Sequence, residues 1–440
     1  MISRLARRAT AITPLPGWLL VGVAYALSLA ITKFRFRQWG PDARYYLAWA
    51  YRYSGLSERE SSRRTYEFLS QYSWFRDFCA PNGCLPADPA DGAAGLFHGF
   101  AGGLVAPRVL YPLLSMPFVR LFGPQGMLVI PLLSYTACLL LVMVLASRLI
   151  GPRWAVLAGF LVIVPVSVSR WATYAYTEAL TMALCMACVV VLPLARRATR
   201  RDLVLFGVFL FLFAFTRQFH PVVVAGVGLV WLGTAITRRS LRNEWLPFVG
   251  VAVGTSLLAG FIQSFMTQSY SITEWFLRES GAGTWSGVPA AVPRVIWSIV
   301  KADGWTISVD YPLVLLLVVS GVALLYRLRS PLVQLTLGLY LGTLLLNVLN
   351  TEPSNFRYYA MVVPMLALVA AAFVAELMTG KRPLGFETDP RPGGAAAEPE
   401  PDEAPGEAPG EDVETVGALR TRVEGPARPP QREPVRGQPG

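Results

Sequence analysis

Gln38-Trp-Gly-Pro-Asp-Ala-Arg-Tyr-Tyr-Leu-Ala-Trp-Ala-Tyr-Arg-Tyr-Ser-Gly55 follows directly on the first long apolar segment of the chain, residues 15–32. Asp42 stands at its head. The Tyr- and Trp-rich run behind it reads as a short helix at the edge of a membrane, where aromatic rings gather at headgroup level. A carboxylate at that depth can meet a lipid-borne reactant and a water-borne one together. The rest of the chain reads as a scaffold around this position.

Of the 440 residues, 54% are hydrophobic and 15% are charged. Several runs approach or exceed 18 apolar residues. At about 1.5 Å per residue these can cross a hydrocarbon core of about 30 Å. A lone run in such a core must satisfy its own backbone polar groups, which selects helices and predicts an all-α polytopic membrane protein. The formal net charge is +11, and the basic residues are nearly all Arg. They sit mostly in short connections between spans, so the charge reads as topology and not as a nucleic-acid surface.

Arg4, Arg7 and Arg8 precede the first apolar run and place the N-terminus in the cytoplasm. That run reads as an uncleaved span, because more spans follow. Residues 33–122 form a large first outer loop with helical pieces at 42–53, 57–72 and 107–122. The last is apolar but carries Pro112 and Pro117, and is expected to lie on the membrane surface. Further spans are expected at 124–150, 154–169, 176–194, 203–219, 221–237, 246–266, 311–326, 332–349 and 358–378. Their inner connections hold Arg148 and Arg153, Arg196 to Arg201, Arg238 to Arg242, Arg327 and Arg329, and Lys381 and Arg382. The expectation is about ten transmembrane helices with both termini inside, and a second outer loop at 267–310. The transmembrane domain thus covers 1–379. Residues 380–440 are rich in Pro, Glu, Gly and Ala without apolar periodicity, and read as a disordered cytoplasmic tail.

Cys138, Cys185 and Cys188 lie inside apolar runs and read as small core residues. Cys79 and Cys84 bracket Ala-Pro-Asn-Gly in a polar loop, which on the outer side predicts a small disulfide-closed turn. No His lies near them in sequence, which argues against zinc.

Ionisable residues are nearly absent from mid-span. They gather at the outer ends: Asp42, Arg108, Arg170, Glu178, Arg217, His220, Glu352 and Arg357, with His98 in the first outer loop. Such residues in a membrane mark a site. Only residues 203–215 precede Thr216-Arg217-Gln218, a climb of about 20 Å that falls short of the core thickness. Either Arg217 snorkels upward or the outer surface is hollow there. A polar depression of that kind can seat a lipid phosphate. Secondary transporters bind near the midplane between repeats, and no repeat is evident. A Gly-rich phosphate-cradling loop is also missing, so a nucleotide-driven pump is not supported.

Four stretches together resemble the GT-C superfamily of membrane glycosyltransferases, which includes protein O-mannosyltransferases and aminoarabinose transferases. Pro41-Asp-Ala-Arg-Tyr-Tyr46 resembles the acidic–aromatic motif that opens the first outer loop. Residues 108–122 with the span to 150 resemble the interfacial helix and second span. Ser169-Arg-Trp-Ala-Thr-Tyr-Ala-Tyr-Thr-Glu-Ala-Leu180 resembles the stretch whose acid begins a later span. Asn355-Phe-Arg-Tyr-Tyr-Ala-Met-Val-Val-Pro364 resembles the Arg-Tyr motif of a late span. Ala43 is a departure, since many relatives carry a second acid there. A divalent cation therefore finds no support in the sequence, and no metal ligand is assigned.

The resemblance implies transfer of a sugar from a polyprenyl-phosphate donor to an extracytoplasmic acceptor, a cell-wall glycan, a lipid or a protein. It gives Asp42 the role of general base; the alternative is a helix N-cap. Glu178 would orient the acceptor or a cation, or else cap a helix or pair with Arg170. Arg357 is the first candidate for the lipid phosphate, followed by Arg217, Arg108 and His220; the alternative for each Arg is a headgroup contact. Tyr45, Tyr46 and Tyr358 read first as membrane-belt residues and second as sugar or lipid contacts. The Arg-over-Lys and Ala-rich bias points to a GC-rich bacterium and its plasma membrane. The rival functions are a flippase or transporter of lipid-linked sugars and a non-catalytic scaffold acting through its tail.

Overall fold

The computed structural model describes residues 14–36, 38–82, 84–266, 272–351 and 354–383. Arg4, Arg7, Arg8, Glu352 and the tail beyond residue 383 lie outside the described residues. Every described element is helical. In chain order the α-helices are α1 (Pro14–Arg35), α2 (Ala43–Tyr53), α3 (Glu58–Leu69), α4 (Ser73–Asn82), α5 (Phe100–Val105), α6 (Leu110–Phe122), α7 (Val129–Ile150), α8 (Pro152–Ile163) and α9 (Val166–Thr173). They continue as α10 (Glu178–Val190), α11 (Arg200–Thr216), α12 (His220–Arg238), α13 (Leu246–Ser264), α14 (Ile272–Glu279), α15 (Val288–Ser308), α16 (Tyr311–Tyr326), α17 (Pro331–Asn350) and α18 (Val363–Thr379).

Five stretches are long and apolar enough to cross a membrane: Leu15–Arg35, Leu110–Ile150, His220–Arg238, Leu246–Ser264 and Pro331–Asn350. Two bent pairs raise the number to seven: α8 with α9, bent by 73°, and Trp285–Ser308 with α16, bent by 111°. Each of the ten apolar runs is helical, but not each is a full span by length. Helix α10 has 13 residues, about 20 Å, and α18 has 17. The run at 154–169 breaks at Pro165, which takes an extended ψ of 113° and turns the chain.

Helix α18 forms the centre and packs against α7, α8, α16 and α17. Its residues from Val363 to Ala372 are all buried. A helix apolar all round belongs inside a bundle. Its many alanines let the neighbours approach. Helices α12 and α17 form the most extensive pair. A Cβ on Gly338 would lie 2.7 Å from Gly226 Cα and 2.8 Å from the Ala225 carbonyl, so the two backbones touch. Small residues permit such close crossings in membrane bundles.

Asp310 ties two helix heads together. Its Oδ1 accepts from the Leu313 N–H at the start of α16, at 3.3 Å, and its Oδ2 from the Ser167 N–H at the start of α9, at 2.7 Å. Both are N–H groups that a helix cannot satisfy internally. The tie fixes α9 after the Pro165 turn and sets the path of residues 174–177 toward the site. There the Ala175 N–H donates to the Gln38 carbonyl, at 2.9 Å, joining that path to the stretch before Asp42.

Candidate functional site

The N-cap alternative for Asp42 does not hold. Asp42 occupies the N-cap position of α2, yet its side chain makes no cap bond. Its Oδ2 instead accepts from Arg357 Nη1 at 2.7 Å, across 315 residues of sequence. Arg357 Nε donates to Glu178 Oε1, and Arg217 Nη1 donates to the same oxygen at 2.5 Å. The result is one continuous chain of charges: Asp42, Arg357, Glu178, Arg217. Side-chain exposure is 4% at Arg217 and 2% at Glu178, then rises to 14% at Arg357 and 37% at Asp42. The chain is therefore closed at Arg217 and open at Asp42.

Aromatic faces support both guanidiniums. The Arg357 guanidinium lies 4.3 Å from the Tyr176 ring centre and 5.6 Å from that of Trp171. The Arg217 guanidinium lies 4.6 Å from Phe219 and 4.7 Å from Tyr358. The ring quadrupoles favour the cations where water is excluded. Burial disfavours the charge on Asp42. The Arg357 guanidinium, helped by Arg108 and Arg217, outweighs it and holds the carboxyl below the ordinary aspartate range.

The loop before Arg357 is shaped by Asp303 on α15. Asp303 Oδ1 accepts from the Phe356 N–H at 2.6 Å and from the Ser354 hydroxyl at 3.1 Å, and Asn347 Nδ2 reaches Oδ2 at 3.4 Å. Trp171 Nε1 donates to the Asn355 carbonyl at 3.1 Å. Asn355 and Phe356 both take left-handed backbone angles, with φ of 48° and 66°. Non-glycine residues hold that conformation only where their surroundings impose it.

Several buried polar atoms here have no hydrogen-bond partner: Glu178 Oε2, Arg217 Nε, Arg357 Nη2, Thr177 Oγ1 and His220 Nδ1. Glu178, Thr181, Arg217, Phe219, Arg357, Tyr358 and Met361 line a crevice that has no room for a water molecule. Native structures leave few buried polar atoms without partners, so a group of them in one place calls for an explanation.

Asp42, Glu178, Arg357 and Arg217, all candidates from the sequence, are thus brought together. Arg108 stands at the margin: its Nη1 donates to the Tyr46 hydroxyl at 3.0 Å and its charge acts on Asp42. Tyr46 is fully buried, edge-on to Tyr111 and Tyr176, and is neither a belt residue nor a surface contact. Tyr358 sits under Arg217 and bonds Asn350. Tyr45 bonds none of the arginines of the charge chain. Its hydroxyl accepts from Arg44 Nη2 at 2.8 Å and its ring lies under that guanidinium, on the side of Cys79. The alternative pairing of Glu178 with Arg170 is not made. Arg170 packs against the rings of Phe36, Trp171 and Tyr174, while Glu178 takes two other arginines. Arg217 does not snorkel; it turns inward after α11 with extended backbone and is buried. His220 is buried at the head of α12, outside the crevice lining. Cys79 and Cys84 form a disulfide, and Cys138, Cys185 and Cys188 are buried thiols. Among the described residues no three His, Cys, Asp or Glu side chains group as a metal site.

Sequence reasoning did not single out Trp171, Tyr176, Asp303 or Gly40 as site residues. A Cβ on Gly40 would fall on the phenol end of Tyr176. Gly40→Ala should therefore push Tyr176 off Arg357 and destabilise the chain by about 1–3 kcal/mol through overpacking. Thermal melting of the detergent-solubilised variant checks this, and an unchanged midpoint would show that Tyr176 yields freely.

No protein-family profile, characterised protein or solved structure matches the chain.

Proposed function

We propose that the chain is a membrane glycosyltransferase moving a sugar from a polyprenyl-phosphate donor to an extracytoplasmic acceptor: a cell-wall glycan, a lipid or a protein. The observation that carries this reading is the buried charge chain Asp42–Arg357–Glu178–Arg217 with its unpartnered donors. With Arg108, three guanidiniums face two carboxylates, an excess of one positive charge that suits a phosphodiester anion. In the step itself, the acceptor oxygen forms a bond to the sugar's anomeric carbon. The bond from that carbon to the phosphate oxygen breaks. Asp42 takes the acceptor's proton, and the lipid phosphate leaves with the electron pair as a dianion. The arginines stabilise the charge that develops on it.

The same reading carries the topology. Ten spans with both termini inside would put Asp42, Glu178, Arg217 and Arg357 at outer ends, in the plasma membrane of a bacterium, with α6 lying at the outer interface. Basic inner connections support that orientation.

Asp42→Asn, in membranes supplied with a labelled polyprenyl-phosphate sugar, should lower transfer by about 10²–10⁴-fold. Transfer at the wild-type rate would remove Asp42 from the chemistry.

A further inference from the structure

Arg357 is engaged on both of its edges. A guanidinium offers two forks to an oxyanion: Nε with Nη2 along its side, and Nη1 with Nη2 at its end. Here Nε is bonded to Glu178 and Nη1 to Asp42, while Nη2, which belongs to both forks, has no partner. Each fork is therefore half used. A phosphate that takes either fork meets one of the protein's own carboxylates already bonded to a nitrogen of that fork, and two anions on one prong repel each other.

The two carboxylates are not equally easy to displace. Glu178 is 2% exposed and also neutralises the buried Arg217, so its departure would strand a second cation. Asp42 is 37% exposed and is bound to Arg357 alone through its Oδ2. It stands at the head of α2 without a cap bond to tether it. Water can take over its solvation as it leaves. The end fork, Nη1 with Nη2, is the one that opens.

We propose that the donor phosphate displaces Asp42 from Arg357, so that the lipid phosphate binds first and Asp42 becomes available to the acceptor only afterwards. This rests on the glycosyltransferase reading for its ligand, and makes Asp42 an internal competitor of the donor as well as the base. The ion pair then guards the site. While no phosphate is bound, the Asp42 carboxylate is held by a cation and is a poor proton acceptor. When phosphate takes Arg357, the positive charge that depressed its basicity is neutralised.

The test measures binding and needs no acceptor. Farnesyl phosphate is titrated into the full chain in zwitterionic nanodiscs, with wild type, Asp42→Asn, Arg357→Gln and the double variant. Competition predicts that Asp42→Asn binds farnesyl phosphate about tenfold more tightly, since a charged hydrogen bond no longer has to be broken. The gain should vanish in the Arg357→Gln background. A gain that depends on Arg357 sets the exchange apart from non-specific binding by a misfolded variant. Equal or weaker binding by Asp42→Asn overturns the exchange and leaves the glycosyltransferase reading standing. A gain that persists without Arg357 also overturns it, because the effect would then be general charge. If neither wild type nor Asp42→Asn binds farnesyl phosphate, the lipid-phosphate reading falls and the exchange falls with it.

Discussion

Glu178→Gln should destabilise the folded chain by about 3–5 kcal/mol, the cost of leaving buried cations without their counter-charge. Both Arg217 and Arg357 donate to one oxygen of this side chain, and it is almost fully enclosed at the head of α10. Glutamine preserves shape and can still accept a hydrogen bond, so the loss isolates the charge. The measurement is chemical or thermal unfolding in a fixed detergent. A second variant makes the argument specific. Glu178→Gln combined with Arg217→Gln removes one charge of each sign and should recover a large part of the loss. If the single variant unfolds with the wild type, the Glu178 carboxylate is not what holds the two arginines.

On the proposed function, Asp303→Ala should reduce farnesyl phosphate binding and sugar transfer by about 10²-fold, although Asp303 does not touch the crevice. Its carboxylate accepts from the Phe356 N–H and the Ser354 hydroxyl, and it lies beside two residues in left-handed conformations. Each such residue carries about 1–3 kcal/mol of strain that its surroundings must impose. Without the acceptor the loop relaxes, and Arg357, the next residue, loses its aim. Asp303→Asn keeps an acceptor oxygen and should recover most of the binding. A residue that mattered only for stability would lower the melting point in both variants without this split in affinity. Wild-type binding by Asp303→Ala would show that α17 and Trp171 hold the loop unaided.

The helices were legible because apolar runs and basic connections repeat along the chain, and each expected run is helical in the structure, the one at 154–169 as two helices. The number of true spans was not legible, since a run of apolar residues does not announce its bends. Pro165 is visible in sequence, but the 73° turn it makes depends on Asp310 catching Ser167 from another helix. Within the site, charge was the readable signal. Asp42, Glu178, Arg217 and Arg357 stand out because ionisable groups are scarce beside apolar runs. Their pairing was not readable, and Arg170 looked the nearer partner for Glu178. Tyr176 and Trp171 were hidden among many membrane-edge aromatics. Asp303 falls in the expected second outer loop, where acids are ordinary, but lies on α15, and only its burial and the positive φ values of the loop it holds show its task. Tyr45 and Tyr46 are adjacent, so α2 turns them to different sides: Tyr45 takes Arg44, and Tyr46 takes Arg108 at the margin of the site.

The direct meeting of α12 and α17 has a reach beyond the place where it occurs. With only hydrogens between Gly338 and Gly226, the two rods act as one stiff post of fixed gauge. One rod begins at His220, three residues past Arg217. The other ends with Asn347, which bonds the Asp303 carboxylate that holds the loop of Arg357, and Asn350, which bonds Tyr358. A wedge driven in at the waist would part the tips, so drift at two of the smallest residues in the chain would be felt not there but in the alignment of its charges.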